Sequence, residues 1–361
     1  MKILIFQDYL RSGGTERQSV FLANAFAKAR HETALTTFRP GGSLVSMISP
    51  EVTHVALQPF DTHCDWFAPG LTGFIEKHPA DIILCMGRMA NCYGQGIVKE
   101  VQDRCPGTAV IGTMRTGKPL PWLFRLSLQQ VHHIVANSRA AKSHLEIRYA
   151  MDSAKISVIA NSLVFPETPA DGAREQLRST HGANDQTTVL LDVAMFRPEK
   201  NQRELIEIAA KLPLNFPWQL WLVGEGPELA SCRKLAETLS LTDRVKFPGL
   251  QRDPAPYYAA ADLAVHASHR ESLSNFLIEA QAHGLPAVAY AAQGVDECFL
   301  LGDTGISVPF DDQAAFRDAI QQLASPDQAR RERARTFARN SFDPQTQVQA
   351  YLDLFLRLTS S

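Results

Sequence analysis

Short apolar runs alternate with longer amphipathic stretches along the whole chain. Runs at 2–6, 33–38, 52–57, 81–85, 109–112 and 133–136 have strand length, and the stretches between them show helical spacing, most clearly at 16–29. A second series follows at 188–194, 219–223, 245–247, 263–266 and 287–289. Buried strand-length runs separated by helix-length segments predict parallel sheets with crossover helices. The two series meet near Phe165-Pro166-Glu167-Thr168-Pro169, where Pro166 and Pro169 disfavour continued helix and suit a linker. The expected fold class is therefore α/β, with two Rossmann-like domains, 1–164 and 165–342, whose parallel sheets face each other across a cleft. In open parallel sheets ligands sit at the carboxyl ends of the strands, so each domain would present one substrate. The final segment, 346–358, carries Val348, Tyr351, Leu352, Phe355 and Leu356 at helical spacing and predicts an amphipathic helix.

Composition narrows the function classes. The chain has 361 residues, 45% hydrophobic, which excludes a disordered protein and fits two domains with real cores. With 36 Lys+Arg against 38 Asp+Glu, the near-neutral total excludes nucleic-acid binding through a generally basic surface. The total conceals an asymmetry: residues 1–163 hold 17 cations and 12 anions, the remainder 19 and 26, or +5 and -7. The 6 cysteines include no pair with zinc-knuckle or redox spacing, which suits reduced thiols in the cytoplasm. The start, Met1-Lys2-Ile3-Leu4-Ile5-Phe6, is too short for a signal-peptide core, and no run of roughly 18 apolar residues occurs to span a membrane.

Candidate chemistry gathers after the expected strands. Glu271-Ser272-Leu273-Ser274-Asn275-Phe276-Leu277-Ile278-Glu279 follows the strand at 263–266 and opens a helix. Ser272 or Ser274 can cap that helix, leaving amides near Asn275 and Phe276 for an anion, with Glu279 about one turn deeper. Phosphate at a helix start with a carboxylate one turn inside suits a nucleotide; an ordinary capped helix with a solvated Glu279 is the alternative. Phe196-Arg197-Pro198-Glu199-Lys200-Asn201 places two cations in a loop after a strand, where they can neutralise a diphosphate or simply form a basic turn. Gly224-Glu225-Gly226-Pro227 starts like a dinucleotide fingerprint, but Leu229 stands where the third glycine belongs. Ser12-Gly13-Gly14-Thr15-Glu16 links the first strand to the first helix, and its adjacent glycines allow close backbone approach to a ligand. No Asp-x-Asp clamp and no zinc-ligand spacing occurs, so no metal is expected.

Taken together, these segments resemble the family 4 retaining glycosyltransferases of the GT-B fold. The resemblance is carried by Gly13-Gly14-Thr15-Glu16, Arg197-Pro198-Glu199-Lys200-Asn201, Gly224-Glu225-Gly226-Pro227, Glu271 with Glu279, Gly284-Leu285-Pro286, Gly294-Val295-Asp296-Glu297 and Thr304-Gly305. It implies that the terminal helix, about 343–361, crosses back to the first domain. It also implies that Glu279 binds ribose, Glu271 lies beside the donor sugar and Lys200 contacts the diphosphate. Ser274, Asn275 and Phe276 would supply phosphate or sugar contacts, and Gly14 and Gly224 would line the donor side. Gly13 and Arg115 would face the acceptor or the cleft. The usual Gly-Arg pair is Ala194-Met195 here, so Arg197 is the candidate replacement cation; Thr113-Met114-Arg115-Thr116 stands where many members have a His.

The expected function is transfer of a sugar from a nucleotide diphosphate sugar, with uridine favoured by family frequency, to a saccharide or glycolipid acceptor in lipopolysaccharide or surface polysaccharide synthesis. No cofactor is expected. Lys118-Pro119-Leu120-Pro121-Trp122-Leu123-Phe124-Arg125-Leu126 is basic and aromatic, and suits either peripheral contact with an anionic membrane at its inner face or a core helix after a proline turn. A nucleotide-sugar epimerase on the same fold and a noncatalytic nucleotide-sugar binder are the competing classes. His132, His133 and His266 read as histidines packed within or beside strands.

Overall fold

The computed structural model describes residues 1–163, 165 and 172–360. The expected linker prolines, Pro166 and Pro169, lie outside the described residues. The chain divides into two compact units, Met1–Ser162 with Pro344–Ser361, and Leu163–Asp343.

The first unit is a 7-stranded parallel sheet made by β1 (Lys2–Gln7), β2 (Glu32–Thr37), β3 (Thr53–Ala56), β4 (Ile82–Cys85), β5 (Ala109–Met114), β6 (His133–Ala136) and β7 (Ile156–Val158), in the order β3-β2-β1-β4-β5-β6-β7. Every pairing is parallel. The period of two along a strand divides β1 between two cores. Leu4 and Phe6 join Ile83, Cys85, Val110 and Phe124 on one face. Ile3 and Ile5 join Phe26, Ile82, Leu84 and Ile111 on the other.

The C-terminal helix, Pro344–Thr359, completes that second face with Tyr351, Leu354 and Phe355. Phe26 meets Phe355 at 5.4 Å between ring centroids and Tyr351 at 6.1 Å, both edge-on. A buried amide network anchors the same helix: Gln347 Nε2 donates to Ala160 O at 2.6 Å and to Gln18 Oε1 at 3.0 Å, and Ser162 Oγ donates to Gln347 Oε1 at 2.7 Å. Such buried amides hold only one arrangement, because every donor must find an acceptor.

The second unit is a 6-stranded parallel sheet of β8 (Thr188–Val193), β9 (Trp218–Val223), β10 (Val245–Gly249), β11 (Leu263–His266), β12 (Ala287–Tyr290) and β13 (Gly305–Val308), in the order β10-β9-β8-β11-β12-β13. All its pairings are parallel too. Leu190, Leu220, Val265, Val288 and Phe316 lie in its main core. The α/β class and the two parallel sheets agree with the expectation. The apolar runs do not mark two edge strands, β7 and β13, whose Ile156-Ser157-Val158 and Gly305-Ile306-Ser307-Val308 are interrupted by serine.

No helix among the described residues is long and apolar enough to cross a membrane.

Candidate functional site

In the second unit the strand order turns back between β8 and β11: β9 and β10 are added on one side of β8, and β11 to β13 on the other. Loops leaving the carboxyl ends of neighbouring strands diverge at such a point, and the opening they leave is the usual ligand site of an open parallel sheet. Here the two loops carry Lys200, after β8, and Glu271, after β11. The structure joins them. Lys200 Nζ donates to Glu271 Oε1 at 2.6 Å.

Two further side chains stand behind the pair. His266, the last residue of β11, has Nε2 at 2.8 Å from the same Glu271 Oε1 and Nδ1 at 3.0 Å from Asp192 Oδ1 on β8. His266 and Asp192 are each about 1% exposed. Burial by itself would neutralise each of these groups. For Glu271 that penalty is outweighed by the Lys200 charge and the His266 hydrogen bond, which hold the carboxyl well below the usual carboxylate range. For Lys200 the Glu271 charge and hydrogen bond, with Asp192 and Glu199, outweigh burial and raise the ammonium. His266 is likewise raised by its bonds to Asp192 and Glu271 against the cost of burial. The pair is therefore ionised in the folded protein.

The loops are fixed to one another by main-chain bonds. His269 N and Ser268 Oγ both donate to Glu199 O, at 2.9 and 3.1 Å. Asn201, at φ 54°, donates through Nδ2 to Glu204, whose Oε1 accepts from the buried Tyr290 hydroxyl at 2.5 Å. Gly224 and Gly226 close the other side. Both sit at positive φ, 144° and 153°, and a Cβ at Gly224 would lie 2.1 Å from Ala194 O, at Gly226 2.4 Å from Phe196 O. Their glycine requirement thus comes from the 194–196 backbone pressed against the turn. The incomplete dinucleotide fingerprint is a tight turn.

The helix after Glu271 spans Asn275–Ala282 with Ser274 at the N-cap position. Of the two expected capping serines, Ser274, buried and in extended backbone, makes no side-chain capping hydrogen bond. Its carbonyl accepts from Ile278 N at 3.1 Å, and the first-turn amides of Phe276 and Leu277 precede any intrahelical acceptor. Partial positive charge therefore collects at this end. Glu279 lies one turn inside, where its Oε2 accepts from the Tyr258 hydroxyl at 2.6 Å. Tyr258 is itself stacked between Phe276 and His283, at 6.0 and 4.8 Å between centroids. Glu279, half-buried, is thus held in place by Tyr258.

Arg197 is half-buried at the start of the Pro198–Lys200 turn and its guanidinium has no hydrogen-bond or ion-pair partner among the described residues. The first unit carries the remaining candidates. Gly13 caps the helix Gly14–Lys28 in extended backbone, so Gly14 is its first residue and not a loop residue as expected. A Cβ at Gly13 would meet the Glu16 carboxylate at 2.4 Å. Arg115 corrects a second expectation. It is not free to face an acceptor: its guanidinium donates to Asn161 Oδ1 and, at 2.6 Å, to the Tyr351 hydroxyl on the terminal helix. It clasps that helix to the end of β5. Asp8, just past β1, accepts from the Met89 and Ala90 amides, and burial pushes its carboxyl up to about 6 against those bonds. Among the described residues no group of three or more His, Cys, Asp or Glu side chains is gathered for a metal ion.

Sequence reasoning missed Asp192, His266 and Tyr258 as site residues. One signal was available: Asp192 is a lone charge inside the otherwise apolar run Thr188-Val189-Leu190-Leu191-Asp192-Val193, and a charge in a buried strand needs a buried partner.

Residues 173–341 match the family model for Glycosyl transferases group 1, and residues 12–163 that for Glycosyltransferase Family 4. The chain is 33% identical over 173 residues to the lipopolysaccharide core biosynthesis glycosyltransferase LpsE of Rhizobium meliloti (strain 1021), covering 48% of this chain and 50% of LpsE. It is 30% identical over 183 residues to the N-acetyl-alpha-D-glucosaminyl L-malate synthase of Bacillus anthracis, covering 50% of this chain and 48% of the synthase. The aligned region spans about half the length of these curated relatives. Among solved structures, Anabaena HepE in complex with UDP and glucose superposes with a TM-score of 0.81 at 21% identity, over 99% of this chain and 100% of HepE. Sucrose-phosphate synthase of Thermosynechococcus elongatus gives 0.82 at 22% identity, over 100% of both chains. With two parallel sheets, family matches across both units and whole-chain likeness to these folds, the chain belongs to glycosyltransferase family 4 and has the GT-B fold.

Proposed function

We propose that this glycosyltransferase moves a sugar from a UDP-linked donor to a saccharide or glycolipid acceptor in lipopolysaccharide or surface polysaccharide synthesis, with retention at the anomeric carbon and without a metal. The observation that carries the donor half is the ionised Lys200–Glu271 pair at the β8/β11 turning point, one loop from a helix N-terminus with Glu279 inside it. Lys200, Arg197 and the helix amides meet the negative charge of the diphosphate, Glu279 accepts from ribose hydroxyls and Glu271 accepts from a hydroxyl of the donor sugar. The acceptor oxygen bonds to the anomeric carbon on the face from which the diphosphate leaves. The bond from that carbon to the phosphate oxygen breaks, and the acceptor proton passes to a phosphate oxygen of departing UDP. The protein's part is alignment and leaving-group stabilisation. The named activities of LpsE and the L-malate synthase support a saccharide or small hydroxylated acceptor, and the bound UDP of HepE supports the donor nucleotide.

The test is a product assay with UDP-glucose, UDP-galactose and UDP-N-acetylglucosamine against lipopolysaccharide core acceptors, with and without EDTA. An α-linked product formed equally well in EDTA is expected. A β-linked product or loss of turnover in EDTA would refute retention or metal independence. An altered sugar on the same nucleotide, without acceptor, would identify an epimerase; binding without turnover would identify a noncatalytic binder.

The acceptor side is assigned to a cytoplasmic membrane face. The helix Trp122–Gln130 buries Phe124 and leaves Trp122 64% and Leu123 44% exposed, with Arg125 of the same helix also exposed. An amphipathic aromatic next to a cation suits the headgroup region of an anionic bilayer. Trp122→Ala is expected to reduce flotation of the protein with phosphatidylglycerol vesicles several-fold; equal flotation of both proteins would remove membrane contact from the proposal.

A further inference from the structure

Asp192, His266, Glu271 and Lys200 form a row whose charges alternate, running from the interior of the sheet to the site. His266 faces a carboxylate oxygen with each ring nitrogen, Asp192 Oδ1 at 3.0 Å and Glu271 Oε1 at 2.8 Å. A neutral imidazole offers one donor and one acceptor, and an ionised carboxylate offers acceptors only. Two ionised carboxylates therefore require N–H on both sides of the ring. The other way to satisfy the row is a neutral ring beside a protonated carboxyl. On Glu271 that is opposed by Lys200 Nζ, 2.6 Å from the same oxygen, and on the Asp192 side by the greater basicity of an imidazole than of a carboxylate, which leaves the shared proton on the ring. The geometry thus selects an imidazolium.

Of the other groups near the ring, the Lys200 ammonium shares Oε1 and opposes a second cation, a repulsion that the Asp192 and Glu271 carboxylates offset, and the helix Asn275–Ala282 brings the Phe276 ring, tilted at 5.3 Å between centroids. The Cys298 thiol, near Glu271, is kept protonated by burial. Both cationic donors fall on Oε1 of Glu271. Its Oε2 receives no hydrogen bond among the described residues, although the residue is only 7% exposed.

We propose that His266, kept as an imidazolium by Asp192, is the positioning residue for Glu271, fixing Oε1 from within β11 so that Oε2 is the acceptor for a hydroxyl of the donor sugar. This rests on the reading of Glu271 as a donor-sugar residue. Lysine alone is a poor anchor, being a point charge on a flexible stem with three rotatable donors. With His266 holding Glu271 from a rigid strand end, Lys200 needs one N–H for the carboxylate and keeps two for diphosphate oxygens. Asp192 and His266 are then a support for the site and are not themselves in contact with substrate.

The test has a spectroscopic arm and a kinetic arm. In 15N spectra of the imidazoles, the His266 signals are identified as those missing from His266→Phe or His266→Gln, and both nitrogens are expected to be protonated at pH 7 in the wild type. In Asp192→Asn the second proton is expected to be lost by that pH, because the asparagine carries no charge to hold it. A neutral His266 in the wild type at pH 7, or an unshifted titration in Asp192→Asn, overturns the imidazolium. Kinetically, UDP release is followed with whichever of UDP-glucose, UDP-galactose and UDP-N-acetylglucosamine the wild type uses fastest. His266→Phe is expected to lower kcat roughly 10- to 100-fold, the range for a lost charge-assisted hydrogen bond, with KM changed far less. His266→Gln, whose amide can still donate to Oε1, is expected to retain more turnover than the Phe variant, and it also serves if the Phe variant does not fold. Unchanged kcat in either folded variant overturns the positioning role. Glu271→Gln separates the two claims. If it loses turnover while His266→Phe does not, only the positioning role fails; if it turns over normally, or if the wild type uses none of the three donors, the donor reading fails and the positioning role with it.

Discussion

Lys200→Ala should lower sugar transfer by roughly 10²- to 10³-fold in kcat, the usual cost of removing one preorganised group that stabilises charge developing in a transition state. Two losses add. The departing diphosphate loses a cation, and Glu271, 7% exposed, keeps its charge with only His266 to balance it. The deficit should be flat between about pH 5 and pH 9. Glu271 lies below its ordinary value in the folded protein, so the stability it contributes is present above that ordinary value and is lost only as pH falls through the lowered one. Lys200 is raised, so its contribution persists until pH climbs through the raised value. The measurement is kcat at saturating nucleotide sugar across that range, with a thermal melt to establish folding. A variant within threefold of wild type would remove Lys200 from the reaction.

Arg178→Ala is expected to destabilise the second unit by about 3–5 kcal/mol, the range for breaking a buried ion pair from one side. The guanidinium, 4% exposed, donates to Asp262 Oδ2 at 3.0 Å and to the carbonyls of Ala260, Asn184 and Thr187. Its loss leaves three carbonyl oxygens short of a donor and Asp262 with Arg174 and Arg331. Asp262 opposes its own burial through the Val189 amide and these arginines, and its carboxyl is held below the usual range. The variant should therefore unfold at lower urea concentration and lose part of its resistance to acid. A urea-derived cost under 1 kcal/mol would show that the remaining arginines reorganise to cover all four acceptors.

The candidate site was legible where its chemistry is contiguous. Glu271 and Glu279 stand on one strand-to-helix segment, and Arg197 and Lys200 on another, so a loop after a strand with cations or carboxylates in it could be recognised without knowing what lies across the sheet. Lys200 and Glu271 are 71 residues apart in the chain, and their contact at 2.6 Å depends on β8 and β11 being neighbours. Asp192, His266 and Tyr258 each sit in an apolar run and are buried, so nothing local marks them as part of a site beyond the lone charge of Asp192. Their polar atoms acquire meaning only from the partner that packing supplies. Arg115 fails in the opposite sense. A cation after a strand looks like a ligand group, and the tertiary structure occupies it with Asn161 and Tyr351.

By itself the sequence determined the alternation of buried strands and amphipathic helices, the α/β class and the charge contrast between its halves. These are local properties, set by side-chain periodicity and composition over a few residues. Redrawn at the structural boundary, with the terminal helix counted in the first unit, the contrast is still +5 against -7. Tertiary structure alone decided strand order, and with it which loops meet. It also decided which buried charges are paired, since a charge inside a sheet is tolerable only when an opposite charge or a donor reaches it through space. For this protein that pairing is the row from Asp192 to Lys200, assembled from two strands and the two loops that follow them, which no local pattern connects.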